Sequence, residues 1–339
     1  MLSAKFKVIF AGPLVTFQDS GRPGNMRYGV PSSGPMDHLA HASANLAVGR
    51  SKSSTAIEVS MGGIVLECMT GTATIAVVGG GFQVECGHLK TDSSKVLTIS
   101  AGQRLSIRAG QWGSWCYLSF AGFASVEQWL GKTATHSQSG FGGGLLKAGQ
   151  EFEVEDAEVA ESREGEVPPF SSKTSIKHVR VVRGPQDHHF SSEAIKTLFN
   201  SEFLLTGAYD RMGVRLDGPA LHMDSSLSIP SEPILKGSIQ VAGDGVPTVL
   251  LADHQTTGGY PKIATMISTD MDDFVQLRSG DKIRFKEIEV DEAISLARNK
   301  AKELDTYFES IAKPKETLAQ RLLQHSLISG AVTGAEDES

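Results

Sequence analysis

Residues 255–262 read Gln-Thr-Thr-Gly-Gly-Tyr-Pro-Lys, which sets an amide, two hydroxyls, a phenol and an amine around a glycine pair inside an otherwise apolar run. Gly258 and Gly259 allow a backbone to approach a small ligand closely. Pro261 keeps its neighbours extended, so Tyr260 and Lys262, two residues apart, are expected on one side of the chain, where they would hold a carbonyl or carboxylate together. Gln255, Thr256 and Thr257 add hydrogen-bonding groups beside them. The plainer alternative is a hairpin with surface polar residues. Such a turn needs neither two threonines nor a tyrosine and a lysine in register.

Two other stretches concentrate polar chemistry. Asp210-Arg211-Met212-Gly213 puts a carboxylate beside a guanidinium. Adjacent side chains on a regular strand face opposite ways, so both would enter one pocket only if Gly213 marked a bulge. The alternative is a surface ion pair, which contributes little. Residues 16–37, TFQDSGRPGNMRYGVPSSGPMD, gather Gln18, Asp19, Arg22, Arg27, Ser32, Ser33 and Asp37 between glycines and prolines. Long loops of this kind bind something or pair internally. Internal pairing here would be an Asp19–Arg22 turn and a helix cap at Asp37.

Other candidate motifs reduce to structure. The glycine cluster at 77–87, VVGGGFQVECG, leads into strand-like text, and that at 140–149, GFGGGLLKAG, lacks the Gly-Lys-Ser/Thr ending of a phosphate loop. Turn glycines explain both, so the chain carries no recognisable ATP site of its own. Cys68, Cys86 and Cys116 are widely spaced and fit reduced core residues. His38 with His41, and His188 with His189, have no carboxylate or cysteine at ligand spacing, so no metal is expected.

The elements that must position these residues are mostly strands. A length of 339 residues suggests about two domains at roughly 150 residues each. The 36 glycines exceed the usual share of roughly 7%, which points to many tight turns. From Ala56 to about Val154 short apolar runs are each closed by glycine, serine or aspartate, as in a barrel or sandwich. Before them a helix is expected from about Pro35 to Val48, with Gly34 as cap and Asp37 in its first turn. Residues 155–175 gain acidic residues and carry Pro168-Pro169, placing a linker at 161–175 between a β domain at 1–160 and another at 176–312. The second half opens with a strand and a short helix after Ser191-Ser192. It ends in a helix whose Ile294, Ala297, Ala301, Leu304, Phe308 and Ile311 form one stripe. A further helix near 316–328 and an acidic tail follow, within 313–339. The halves share a coarse outline that suggests duplication.

A net charge of -7 and a pI near 5.8, with no basic run, argue against nucleic-acid binding. No run approaches eighteen apolar residues and the N-terminus lacks a cleavage pattern, so a membrane is not expected and a cytoplasmic location is.

With these residues in view, the chain resembles the allophanate hydrolase subunit 2 family, also called the KipA type or biotin-dependent carboxyltransferase-like family. The matching text is QDSGRPGNMRYGVPSSGPMD, ANLAVG with AIEVSMGG, RGPQDHHF, DRMGVRLDGP, GSIQV and QTTGGYPKIATMISTD with LRSGDKIRF, in order along nearly the whole chain. The resemblance implies a mainly β protein with a few helices and two cyclophilin-like β-barrel domains. It implies amide chemistry with a KipI-type subunit 1, either as the C subunit of an ATP-dependent 5-oxoprolinase with a hydrolase-like A subunit, or as a carboxyltransferase for urea or a related amide. A non-catalytic partner of a KipI-type protein is a third reading. Urea-carboxylase relatives tend to carry Asn-Arg-Thr-Gly and Ser-Leu-Gly-Gly-Phe where this chain has residues 210–213 and 256–260, so it follows the 5-oxoprolinase branch. ATP would be bound with partner subunits. Biotin would come only through a separate carrier, since no Met-Lys-Met attachment sequence is present. Residues 130–143, LGKTATHSQSGFGG, depart from the family's Gly-Ser-Arg-Ser-Thr-like run. By chemical type, Asp210, Arg211, Tyr260 and Lys262 are the expected catalytic groups. Gln255, Thr256, Thr257, Gly258, Gly259, Gln18, Asp19, Arg22, Ser33 and Asp37 are the expected substrate contacts.

Overall fold

The computed structural model describes residues 2–170, 176–223 and 229–314. The helix expected near 316–328 and the acidic tail lie outside the described residues. The chain is mainly β with a few helices.

In the first half the apolar runs become two sheets. Seven strands, among them Ala4–Ala11, Ile64–Thr70 and Glu151–Glu155, form one. Six, including Ala56–Ser60, Thr72–Val78 and Trp115–Phe120, form the other. Alternation along Ala4–Ala11 turns Phe6 and Val8 inward, where they share an apolar cluster with Ile57, Ile75 and Leu118 of the facing sheet. Gly165–Glu166, within the expected linker, adds an edge strand to the six-stranded sheet by pairing with Lys95–Val96.

The second half closes seven strands into a barrel. Its order around the barrel is His178–Arg183, Lys262–Met266, Ser238–Val241, Pro247–Leu250, Gly213–Asp217, Phe203–Tyr209 and Lys282–Glu287. Helix α1, His38–Ala47, lies at the junction of the halves. Its Ala40, Ala44 and Ala47 are buried in one cluster with Trp115 and Tyr117 of the first half and with Leu205, Phe274 and Val275 of the second. The small side chains let helix and sheets approach closely. Asp37, not Gly34, is the cap: it is extended (φ -103°, ψ 101°) and its carboxylate accepts from Ala40 N at 2.8 Å. The helix therefore starts three residues later than the proline rule suggests.

Helix α2, Ser192–Asn200, is capped by Ser191, whose hydroxyl accepts from Ala194 N at 3.0 Å. Helices α3, Met271–Phe274, and α4, Val290–Ala312, follow. The stripe on α4 is buried only near its C-terminal end, at Ile311, while Ile294 remains 42% exposed. Polar clasps join the halves beside α1. Gln276 accepts from Ser114 N and Trp115 N at 2.9 and 3.1 Å, and Arg278 donates to the carbonyls of Gly110 and Gly113.

Candidate functional site

Residues 210–212 form the turn between Phe203–Tyr209 and Gly213–Asp217. Asp210 stays at the surface, where its carboxylate accepts from Met212 N at 2.7 Å and Gly213 N at 3.2 Å and so closes the turn. The bulge at Gly213 that a shared pocket would require is absent; the register shift lies earlier, between Leu205 and Tyr209. The turn itself separates the two side chains. Asp210 does not join Arg211 in a pocket, and its contacts are those of a turn residue rather than a catalytic group.

Arg211 points inward and is fully buried. Its Nε and Nη2 form a bidentate pair with Asp253, both bonds 3.0 Å, while Nη1 reaches Glu58 and Nη2 also donates to Gly34 O at 2.6 Å. Glu58 in turn accepts from Tyr117 OH at 2.7 Å and Met36 N at 2.8 Å. The Tyr117 oxygen accepts from Asp37 N at 2.9 Å, and Asp253 accepts from Ser137 N at 2.9 Å. Burial alone would lower the Arg211 pKa, but the charges of Asp253 and Glu58 more than offset it and hold the guanidinium above its ordinary value. Burial pushes Asp253 up, yet Arg211 brings it below the usual carboxylate range. Tyr117 is held well above the ordinary phenol value by burial and the Glu58 charge. The group is thus a buried, hydrogen-bonded lattice centred on the Arg211–Asp253 ion pair.

Around it stand Lys236 and His254. Lys236 donates to the carbonyls of Pro35 and Met36 at 3.4 and 3.2 Å, and its pKa is lowered by burial and by Arg211. His254 is buried and its Nδ1 lies 2.6 Å from Gln255 O. A carbonyl only accepts, so Nδ1 carries the proton. Burial lowers the His254 pKa, which keeps the ring neutral.

The loop at 18–37 packs against residues 129–137. Asp19 accepts from Gly21 N and Thr133 N, both at 2.9 Å. Arg22, 2% exposed, donates to the carbonyls of Trp129, Lys132 and Ala134. The Asp19–Arg22 turn pair therefore gives way to two clamps on one neighbouring loop. Gln18 donates to Thr16 Oγ1 at 2.9 Å and Thr135 O at 3.0 Å. Ser33 is buried in the left-handed region (φ 51°) with its hydroxyl unpartnered. Ser137, in the segment that departs from the family pattern, is the residue whose backbone holds Asp253.

The opening stretch runs beside Arg211, because Asp253 N donates to Arg211 O and Leu251 N to Met212 O, at 2.8 and 2.9 Å. Thr257–Gly258 pairs with Glu232–Pro233 in a two-residue ribbon. The glycines let this ribbon pack closely: a Cβ on Gly258 would lie 2.6 Å from Ile234 Cδ1, and one on Gly259 2.9 Å from Ile229 O. Thr257 faces solvent and Thr256 is half-buried. Lys262 is 3% exposed and its Nζ has no hydrogen-bond partner, whereas Tyr260 is 44% exposed. The two do not share one environment, because Lys262 is already inside the barrel strand and Tyr260 is still outside it.

Lys262 lies opposite Gln240, beside a register shift on the paired strands, and Gln255 Nε2 donates to Gln240 Oε1 at 3.3 Å. Gln186 accepts from Lys262 N at 2.9 Å and donates to the Glu232 carboxylate. Burial lowers the Lys262 pKa, an effect the Glu232 charge opposes. One amine, three amides and one carboxylate therefore meet at the barrel's rim.

A cavity of about 540 Å³ lies elsewhere at the junction, lined by Asp37, Trp112, Asp272, Gln276, Arg278 and Tyr307 among others. Of the residues expected from the sequence, only Asp37 lines it. Asp37, Gln276 and Arg278 are already satisfied there by protein groups. The rim cluster, with its unpaired amine, is therefore the stronger candidate.

Asp37 gives a test of pH response. Burial, followed by the Asp272 charge, pushes its carboxyl up to about 7. The folded state then binds a proton more tightly than the unfolded chain, so the stability tied to Asp37 is complete below about pH 4 and is lost as pH rises through about 7. In Asp37→Asn, urea unfolding between pH 4 and 8 should lose this decline. A variant profile parallel to the parent's would contradict the assignment.

Several site residues left little trace in the sequence: Glu58, Tyr117, Gln186, Glu232, Lys236, Gln240 and Asp253. Glu58 offered a signal, as the one acid inside the apolar run Ala56–Ser60, where a buried carboxylate requires a partner. Asp253 and His254 directly precede the opening stretch. The others are assembled only by folding.

The model of the carboxyltransferase domain family, subdomain A and B, matches residues 28–287. The chain is 31% identical over 311 residues to the C subunit of 5-oxoprolinase from Escherichia coli (strain K12), covering 90% of this chain and 97% of that one. It is 31% identical over 293 residues to the Haemophilus influenzae protein of the same name, covering 86% and 93%. The Kluyveromyces lactis urea carboxylase structure superposes with a TM-score of 0.79 at 26% identity, over 94% of this chain but 30% of that chain.

Proposed function

The chain belongs to the carboxyltransferase domain family, subdomains A and B, and from that premise we propose that it is the C subunit of an ATP-dependent 5-oxoprolinase. It works with a KipI-type partner and a hydrolase-like A subunit to open the ring amide of 5-oxoproline to glutamate. The supporting observation is the rim cluster, in which Gln240, Gln255 and a buried, unpaired Lys262 stand together. Primary amides offer both a donor and an acceptor to a lactam N–H and C=O. Arg211 acts as a positioning residue: its two bonds to Asp253 fix that carboxylate, and through it the backbone entering His254 and Gln255. ATP is bound with the partner subunits.

The experiment is reconstitution with the partner subunits and measurement of glutamate formed from 5-oxoproline with and without ATP. Glutamate should appear only with ATP and all subunits present. A second reading, a carboxyltransferase for urea or a related amide fed by a separate biotin carrier, is favoured by the likeness to urea carboxylase. Incorporation of labelled bicarbonate into urea, with no lactam cleavage, would establish that reading instead.

A further inference from the structure

Lys262 is anomalous among the buried cations of the site. Arg211 is matched by two carboxylates, and Arg22 by three carbonyls. Lys262 has its Nζ enclosed and unpartnered at 3% exposure. A buried ammonium without a partner is unfavourable, and it persists only where function or surrounding structure holds it. Glu232, whose charge acts on it, forms no ion pair with it among the described residues; that carboxylate is held by the Gln186 amide.

The surroundings are built to leave the amine in place. Gly184 packs so tightly on the Lys262 backbone that a Cβ there would lie 2.1 Å from Lys262 O. Gln186 fixes the Lys262 N–H at 2.9 Å. Gln240 leaves the sheet on the same face as Lys262, being its cross-strand partner, and holds the Gln255 amide at 3.3 Å. Gln240 and Gln255 are half-buried, so the cluster borders solvent. An amine with no partner of its own, beside amides and with the Glu232 carboxylate already bonded to Gln186, is open to a small anion.

Building on the 5-oxoprolinase reading, we infer that Lys262 anchors a carboxylate of the bound small molecule, while Gln240 and Gln255 read the amide beside it. Lys262 is then the residue that selects an anionic lactam over a neutral amide of equal size. Free bicarbonate presents the same oxyanion chemistry, so the test must separate the two sources.

Calorimetric titration of the full chain, alone and with its partner subunits, would use 5-oxoproline, its neutral analogue 2-pyrrolidinone, and bicarbonate. Each would be added to the parent protein and to Lys262→Met, which keeps the stem and removes the charge. 5-Oxoproline should bind the parent more tightly than 2-pyrrolidinone, by between about tenfold and a hundredfold, and lose that margin in the variant. In the reconstituted enzyme Lys262→Met should raise KM for 5-oxoproline by a similar factor, with a smaller effect on kcat. Should the variant prove poorly folded, the Nζ resonance of the parent gives an independent reading: its pKa should rise when 5-oxoproline is added and stay fixed with 2-pyrrolidinone.

Equal binding of the charged and neutral lactams, an unchanged KM in the variant, or no anion binding in any assembly would overturn the anchor. An unchanged KM in an enzyme that still cleaves lactam would leave the 5-oxoprolinase reading standing. Lys262-dependent binding of bicarbonate without any lactam cleavage would sustain the anion site and remove that reading.

Discussion

Arg211→Met is expected to destabilise the protein by about 3–5 kcal/mol at pH 7, seen as a fall in the urea-unfolding midpoint. Methionine fits the space but strands Glu58 and Asp253, both 0% exposed, without the guanidinium that neutralises them. The loss therefore reflects abandoned charge more than lost volume. Two controls separate these causes. Lowering the pH to 5 lets the stranded carboxyls take up protons, so the deficit should shrink. Adding Glu58→Gln and Asp253→Asn to Arg211→Met removes the charges and should recover much of the loss, as replacement of whole buried ion clusters does elsewhere. A single variant as stable as the parent at pH 7 would show that the lattice contributes nothing to the fold.

Gly184→Ala is the second large effect. The added Cβ would meet Lys262 O at 2.1 Å and the Lys262 carbonyl carbon at 2.9 Å, both backbone atoms that cannot rotate aside. Strand His178–Arg183 and strand Lys262–Met266 must then part locally, weakening the Gly184 N–Ile263 O bond of 2.9 Å. Overpacking of this kind costs about 3 kcal/mol at the upper end of its usual range. The same displacement moves Lys262, so affinity for the proposed ligand should fall with stability. Gly102→Ala is the comparison: its Cβ meets nothing within 4 Å, and only its positive φ of 83° opposes the change. It should cost about 1 kcal/mol and leave ligand affinity alone.

Much of the architecture could be read from local pattern. The glycine-closed runs marked a β protein, and the Ser191-Ser192 pair marked the start of α2. The site was less accessible for a physical reason: its contacts span long separations, such as the 153 residues between Glu58 and Arg211. Local reasoning let Asp210 and Arg211 share a pocket only through a bulge at Gly213, and instead a turn sends one outward and the other inward. It likewise paired Tyr260 with Lys262, although the chain crosses from surface to barrel between them. The glycines at 258 and 259 signalled close approach correctly, but the approaching partner is the chain's own ribbon. Asp37 was ambiguous between ligand contact and cap, and its bond to Ala40 N shows the cap.

The clasp across the junction also bears on synthesis. Glu58 leaves the ribosome long before Arg211 is made, and it belongs to a strand whose five residues are all buried in the finished protein. Until the later half arrives, the Glu58 carboxylate has the Tyr117 hydroxyl and the Met36 N–H as partners but not the guanidinium. The first half therefore completes its charge pairing only once Arg211, in the second half, has been made.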